Sequence, residues 1–315
     1  MTLTIGVDVG GTKVAAGVVD QAGAVLAQSR RDTPADDVAK TRDVIIEAIL
    51  ELARGREIEA VGIGAAGWID ATRSNVLFAP NIAWRDEPLR QHVTAATGLP
   101  VIVENDANAA AWAEFRFGAA RHAEDSMIMY TIGTGVGGAI VLGGELVRGI
   151  HGIAAELGHV LCVPEGHLCG CGRHGCLEQY ASGNALVRFA RAGARQEPGS
   201  AATLLDLAEG DAEAITGPMV TAAAMEGDPV SRQAFAQIGH WLGIALADMV
   251  QILDPQMLVV GGGVVEAGDL LLGPAERSYM DSLAQRRRVP VAELKAAEMG
   301  NTAGVVGAGD LARRR

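Results

Sequence analysis

Near the N-terminus the apolar residues come in short β-rich runs broken by glycine. "LTIGVDVG" (3–10) and "VAAGVVDQ" (14–21) flank a tight "GTK" turn, and "AVLAQSRRD" (24–32) follows a second turn at Ala22-Gly23. Three strands are therefore expected first. Asp36 or Asp37 can then cap a helix whose apolar positions include Val44, Ile45, Ile49 and Leu52, ending before Gly55, and "AVGIGAAG" (60–67) reads as a buried strand. A helix at 88–97 and the strand "VIVEN" (101–105) complete a βββαβαβ order. The second half opens alike: "SMIMYTIG" (126–133), a glycine turn "TGVGG" (134–138), then "AIVLGGEL" (139–146) as a strand. This return of strand, turn and strand predicts two related α/β domains facing one cleft.

The expected boundary falls near the helix "ANAAAWAEFRFG" (107–118). It separates a smaller lobe, 1–117, from a larger one, 118–302, with a last helix at 303–315 packing back on the first. Helical segments dominate 179–253, where Phe235, Ile238, Trp241, Leu242, Ala245, Leu246 and Met249 recur at helical spacing and read as core. "DPQMLVVGGGV" (254–264) reads as a buried strand ending in glycines.

Composition narrows the function. A chain of 315 residues with 49% hydrophobic and 20% charged content can build two substantial cores. Its 26 Lys and Arg stand against 38 Asp and Glu, and the net charge of −12 disfavours a sequence-independent grip on nucleic acid or anionic lipid. The basic triplets at 286–288 and 313–315 read as solvated faces. "MTLTIGVDVG" carries no leader pattern and no long apolar stretch follows, so a cytoplasmic protein with no membrane partner is expected. In a reducing compartment the cluster "HLCGCGRHGC" (167–176) points to metal or catalysis before a disulfide.

Three glycine turns, "GGTK" (10–13), "GTGVGG" (133–138) and "GGG" (261–263), each follow a β-rich run. Such turns let backbone N–H groups approach phosphate oxygens with no Cβ in the way. Residues 133–138 satisfy G-x-G-x-x-G, but a strand and not a helix follows, which argues against a dinucleotide site. No G-x-x-x-x-G-K-[ST] is present, so a P-loop is excluded as well.

Taken together, "GVDVGGTK", "ENDANAAAWAE", "GTGVGG", "AAELGH" and "CGCGRHGCLE" resemble the ROK family of bacterial sugar kinases and sugar-responsive repressors, and among its members the ATP-dependent glucokinases most. The resemblance runs through the whole chain. It implies a two-lobed actin-like, hexokinase-type fold with ATP and sugar meeting in the cleft. It also implies transfer of the γ-phosphoryl group of ATP to the 6-hydroxyl of glucose, by a homo-oligomer, dimer or tetramer. The alternatives are another hexose (fructose, mannose, N-acetylglucosamine or N-acetylmannosamine), or a non-catalytic sugar sensor. The sensor is disfavoured because the chain opens directly on a strand and leaves no room for an N-terminal helix-turn-helix.

The resemblance also implies site residues. His159, Cys169, Cys171 and Cys176 make a Cys3His set suited to structural tetrahedral zinc. The spacing agrees, since C-x-C is too tight for an easy disulfide and lacks the C-x-x-C of redox pairs. His167 and His174 then read as exposed loop residues, and Cys162 as a buried small hydrophobe. Asp106 matches the base that must deprotonate the attacking hydroxyl, although on the residues alone it could equally cap the helix it begins. Gly67, Asn105, Asp106, Glu156, His159 and Glu178 match sugar-binding positions, with His159 able to ligate zinc through one ring nitrogen and face sugar with the other. Gly10, Gly11, Thr12 and Lys13, then Thr134 and Gly135, match the phosphate loops, and Gly261, Gly262 and Gly263 the adenosine side. Asp8 matches the residue that orients hydrated Mg2+, against its plain reading as a solvated edge-strand charge.

Overall fold

A computed structural model describes residues 2–314, apart from the side chain of Gln285. The chain is mixed α/β, as expected, and divides into two compact units. The first runs to Met127, resumes over Ala139–Ala155 and again from Ala297; the second takes Ile128–Gly138 and Glu156–Ala296.

The first unit opens with β1 (Leu3–Val9), β2 (Lys13–Val19) and β3 (Val25–Asp32), followed by α1 (Val38–Ala53) and β4 (Ile58–Ala65). The short strands β5 (Trp68–Ile69), β6 (Val76–Phe78) and β7 (Arg85–Glu87) come next, then α2 (Leu89–Thr97), β8 (Val101–Asn105) and α3 (Asp106–Arg116). The main sheet has the order β3-β2-β1-β4-β8. Its first three strands are antiparallel neighbours, whereas β1, β4 and β8 run parallel. Asp37, not Asp36, caps α1 by accepting from the Lys40 N–H. The helix lays Ile45, Ile49 and Leu52 into the core. β5, β6 and β7 form a separate antiparallel sheet absent from the expected order, because strands of two or three residues are too short to show a period.

The chain continues through β9 (Met127–Ile132), β10 (Val136–Leu142) and β11 (Glu145–Leu146). "AIVLGGEL" is thus not one strand: Gly143 and Gly144, at φ 61° and 73°, make the two-residue turn of a hairpin that pairs Val141 with Leu146. The helices α4 (Glu178–Ala181), α5 (Gly183–Gln196), α6 (Ala202–Leu207), α7 (Gly217–Glu226) and α8 (Pro229–Leu253) follow. Then come β12 (Met257–Gly261), α9 (Asp269–Leu283), β13 (Glu293–Ala296) and α10 (Ala303–Ala312). The second five-stranded sheet has the order β11-β10-β9-β12-β13, and the division between the units passes through β10. In α8, Asp228 caps the first turn and Pro229 starts it. Phe235, Ile238, Leu242, Leu246 and Met249 are buried as expected, whereas Trp241 and Ala245 are half-buried.

The last helix belongs to the first unit, and every residue from Ala303 to Ala312 is buried. Arg315, which the expected helix included, lies outside the described residues. Against β4, a Cβ built on Gly62 would stand 1.8 Å from the Ala308 carbonyl oxygen; against α3, one on Gly307 would stand 1.7 Å from that of Ala109. Backbone meets backbone at both places. Asp310, buried, accepts from the Trp112 indole N–H (2.9 Å) and pairs with Arg313 (3.2 Å), locking the helix to α3. Gly62→Ala is therefore expected to cost about 3 kcal/mol, the upper part of the usual overpacking range, because the clash is with backbone that no rotamer relieves. Gly199→Ala, which meets open space, should stay within about 0.5 kcal/mol. Urea denaturation of the two variants measures the contrast.

Candidate active site and metal centre

Parallel register places the first group of expected residues. Val9 pairs with Ala65 and Ala65 with Asn105, so Asp8, one residue before, and Asp106, one after, emerge at the same carboxyl end of the sheet. β1 is the central strand, which removes the reading of Asp8 as an edge-strand charge. The Asp8 carboxylate sits against the first turn of α10, where a Cβ on Gly304 would come within 2.7 Å of Cγ. Burial, and then the charge of Asp106, push its pKa up to about 6. Beyond it the chain turns through Gly10 and Gly11. The Gly10 N–H donates to the Lys13 carbonyl (2.9 Å) and the Thr33 hydroxyl to the Gly10 carbonyl (2.8 Å), leaving Thr12 and Lys13 exposed at the tip.

The cap of α3 is Asn105, whose Oδ1 accepts from the Asn108 N–H (3.0 Å). That releases Asp106 from the capping role left open by the sequence. Its Oδ1 accepts from the Ala107 N–H (2.9 Å), and burial holds its carboxyl above the ordinary carboxylate range. The Asn105 amide also donates to the Gly67 carbonyl (3.1 Å) and hydrogen-bonds the Asp106 carboxylate, so Gly67, Asn105 and Asp106 are brought together.

In the second unit the turn between β9 and β10 closes with the Gly133 N–H donating to Gly135 (3.0 Å), and Thr134 is exposed. Gly261 ends β12 and Gly262 and Gly263 follow it beside that turn, where a Cβ on Gly262 would stand 2.4 Å from the Ile132 carbonyl oxygen. Glu178 does something the sequence did not announce. Its Oε2 accepts from the Val136 N–H (3.1 Å), and its Oε1 lies 3.5 Å from the Cys169 sulfur. One carboxylate thus bridges the glycine turn and the cysteine loop; its place two residues after Cys176 was the available signal.

His159, Cys169, Cys171 and Cys176 bring their donor atoms within 4.8 Å of one another. The Cys171 and Cys176 sulfurs are 3.7 Å apart, and His159 Nδ1 is 3.6 Å from the Cys169 sulfur. A tetrahedron with Zn–S bonds of about 2.3 Å has S···S edges of roughly 3.8 Å, so these two separations match those of a zinc site. Nε2 of His159 points the other way, 4.0 Å from a Glu156 oxygen. His174 is occupied with the Gly166 carbonyl (3.0 Å) and His167 stacks on Tyr180, so neither competes. Cys162 is half-buried, more open than expected, and burial pushes its thiol up to about 11.

Comparison with known proteins follows from this geometry. The model of the ROK family matches residues 4–315. A glucokinase of Streptomyces coelicolor is 50% identical over 99% of this chain and 98% of its own. Among solved structures, a ROK family glucokinase from Streptomyces griseus in complex with glucose and AMPPNP is 50% identical with a TM-score of 0.88, covering 99% of this chain and 100% of that one. A ROK hexokinase from Thermus thermophilus is 35% identical with a TM-score of 0.84, covering 99% and 98%. Among the described residues no helix is long and apolar enough to cross a membrane. With its glycine turns, its END junction and its Cys3His set in place along the full matched length, the chain belongs to the ROK family.

Proposed function

We propose that this chain transfers the γ-phosphoryl group of ATP to the 6-hydroxyl of glucose. The observation that carries the reading is the 50% identity, over essentially the whole of both chains, to a glucokinase solved with glucose and AMPPNP. Asp106 is the general base: its carboxyl stands at a strand end, is not spent on the helix cap, and is held by burial above the ordinary carboxylate range. Asn105, Glu156, His159 and Glu178 orient the remaining hydroxyls, the Asn105 amide being held for this by Gly67. In the phosphate loops Gly10 shapes the turn through its bond to Lys13, Gly11, Thr12, Thr134 and Gly135 offer N–H groups and Lys13 its ammonium to phosphate oxygens, and Gly261 to Gly263 flank the adenosine. Asp8 would hold the hydrated Mg2+ that neutralises charge on the transferring phosphoryl group. The Cys3His residues would hold Zn2+ as a structural cross-link, its four protein ligands leaving no open position. The same reading, resting on the family resemblance, makes the protein a cytoplasmic homo-oligomer.

A coupled assay with MgATP and a panel of glucose, mannose, fructose, N-acetylglucosamine and N-acetylmannosamine tests the substrate. Glucose is expected to give the highest kcat/KM, and a far better second sugar would overturn the assignment. Asp106→Asn keeps the shape and removes the base, so kcat should fall by about 10²- to 10⁴-fold while glucose binding, read by calorimetry, survives in part. Cys171→Ser should lower zinc content, melting temperature and glucose affinity together, with ATP affinity little changed; metal analysis and calorimetry read all four.

Asp8 yields a pH prediction whose sign follows from its raised pKa. Well below pH 3.8 the carboxyl is neutral in folded and unfolded chains alike and contributes no difference. Between the ordinary value of 3.8 and the folded value of about 6 the unfolded chain gives up the proton first, and above that window the cost of the buried charge is fully present. In the ligand-free protein Asp8→Asn should therefore raise the melting temperature by a few degrees at about pH 8 and by only a small fraction of that at about pH 4. A stability gain equal at both pH values would show that burial of this charge is not the cause.

A further inference from the structure

Directly before the Asn105-Asp106 junction lies Glu104, which the proposed chemistry does not use. It is 2% exposed, yet its carboxylate is fully engaged. Oε1 accepts from the Asn105 backbone N–H (3.1 Å) and from the Asn108 side-chain amide (3.0 Å). Oε2 accepts from Nε of Arg148 (2.7 Å) and pairs with Nε of Arg73 (3.4 Å). One buried anion therefore meets two largely buried guanidinium groups. Arg73 is the looser partner, since its Nε and Nη2 lack a well-formed hydrogen bond, and its backbone stands at φ 57°. Its carbonyl accepts from the Val103 N–H (2.9 Å), which seats the turn between β5 and β6 along the edge of β8. Arg148 comes from the segment after β11, whose loop is closed by the Ala154 N–H donating to the Arg148 carbonyl (3.0 Å). Gly152 of that loop abuts the backbone of Ile69 and Asp70. Ala155, at φ 66°, then delivers the chain to Glu156.

We infer that Glu104 is a positioning residue for the sugar site, its carboxylate pinning the peptide that sets Asn105 and Asp106 while gripping, through Arg148, the loop that ends at Glu156. A structural salt bridge alone would have no reason to hydrogen-bond the peptide beside the base. Three hydrogen bonds and an ion pair converging on one buried group fix these pieces together, because any one of them can move only by leaving a buried charge short of a partner.

Resting on the glucose kinase reading, the inference is tested most directly from the Arg148 side, since the under-satisfied Arg73 remains to neutralise Glu104 and the fold survives. Arg148→Gln should raise KM for glucose about tenfold or more while KM for ATP stays within about twofold. Amide hydrogen exchange over 149–155 and at Asn105 should quicken, with α5 and α8 unchanged. Arg148→Lys, which keeps the charge, should recover part of both effects. Unchanged exchange in these segments with unchanged KM for glucose, or parallel rises in both KM values, would overturn the assignment. A parent enzyme that failed to phosphorylate glucose would overturn the function reading instead, and the exchange measurement would still decide this one.

Discussion

Contact of bare backbone with bare backbone beneath the first sheet is the constraint on which the reactive end of this unit depends. α10 touches β4 at Gly62, α3 at Gly307 and the Asp8 carboxylate at Gly304. A side chain at such a contact can change rotamer and absorb a shift, but a main-chain carbonyl cannot. The strand bearing Asp8, the strand beside it and the helix begun by Asp106 are therefore referenced to one rigid element. Small errors in their separation are excluded by sterics before any hydrogen bond is counted.

That rigidity makes it feasible to bring two carboxylates to one sheet end. Asp8 is pushed upward by burial and by Asp106, and Asp106 by burial, so both are held in surroundings that disfavour their charge. Such groups lower stability in the empty protein, and under the proposed function they become useful when cation and substrate arrive. Their neighbour Glu104 is managed in the opposite way. It is more deeply buried but surrounded by four donors, so it serves as a fastening.

Much of this was legible in the chain and some of it was not, for physical reasons. The strands β1 to β3 announced themselves by β-rich runs between glycine turns, α1 by helical spacing behind an acidic cap and α8 by helical spacing alone. The four metal donors converge as the motif implied, because two lie in one tight C-x-C and the others flank the same loop. The sheet β5-β6-β7 stayed invisible because strands of two or three residues have no period to detect, and α9 and β13 drew no expectation at all. Whether Asp106 or Asn105 caps α3 was undecidable in sequence, since both residue types cap well; only the Asn105 Oδ1 to Asn108 bond settles it. Neither the reach of Glu178 to Val136 nor the pairing of Glu104 with Arg148 and Arg73 could be read, because these contacts join residues more than 30 positions apart in sequence.

The route of the chain has a consequence for biosynthesis. The first unit receives its final helix only from residues 303–312, after the stretch Glu156–Ala296 has been completed. On the ribosome, then, the unit that starts first finishes last. Its sheet must wait with the face intended for α10 uncovered while the second unit, whose segments are all contiguous or nearly so, emerges and closes. The open apolar face is the surface a chaperone would meet on the nascent chain, and its exposure lasts as long as translation of the intervening residues.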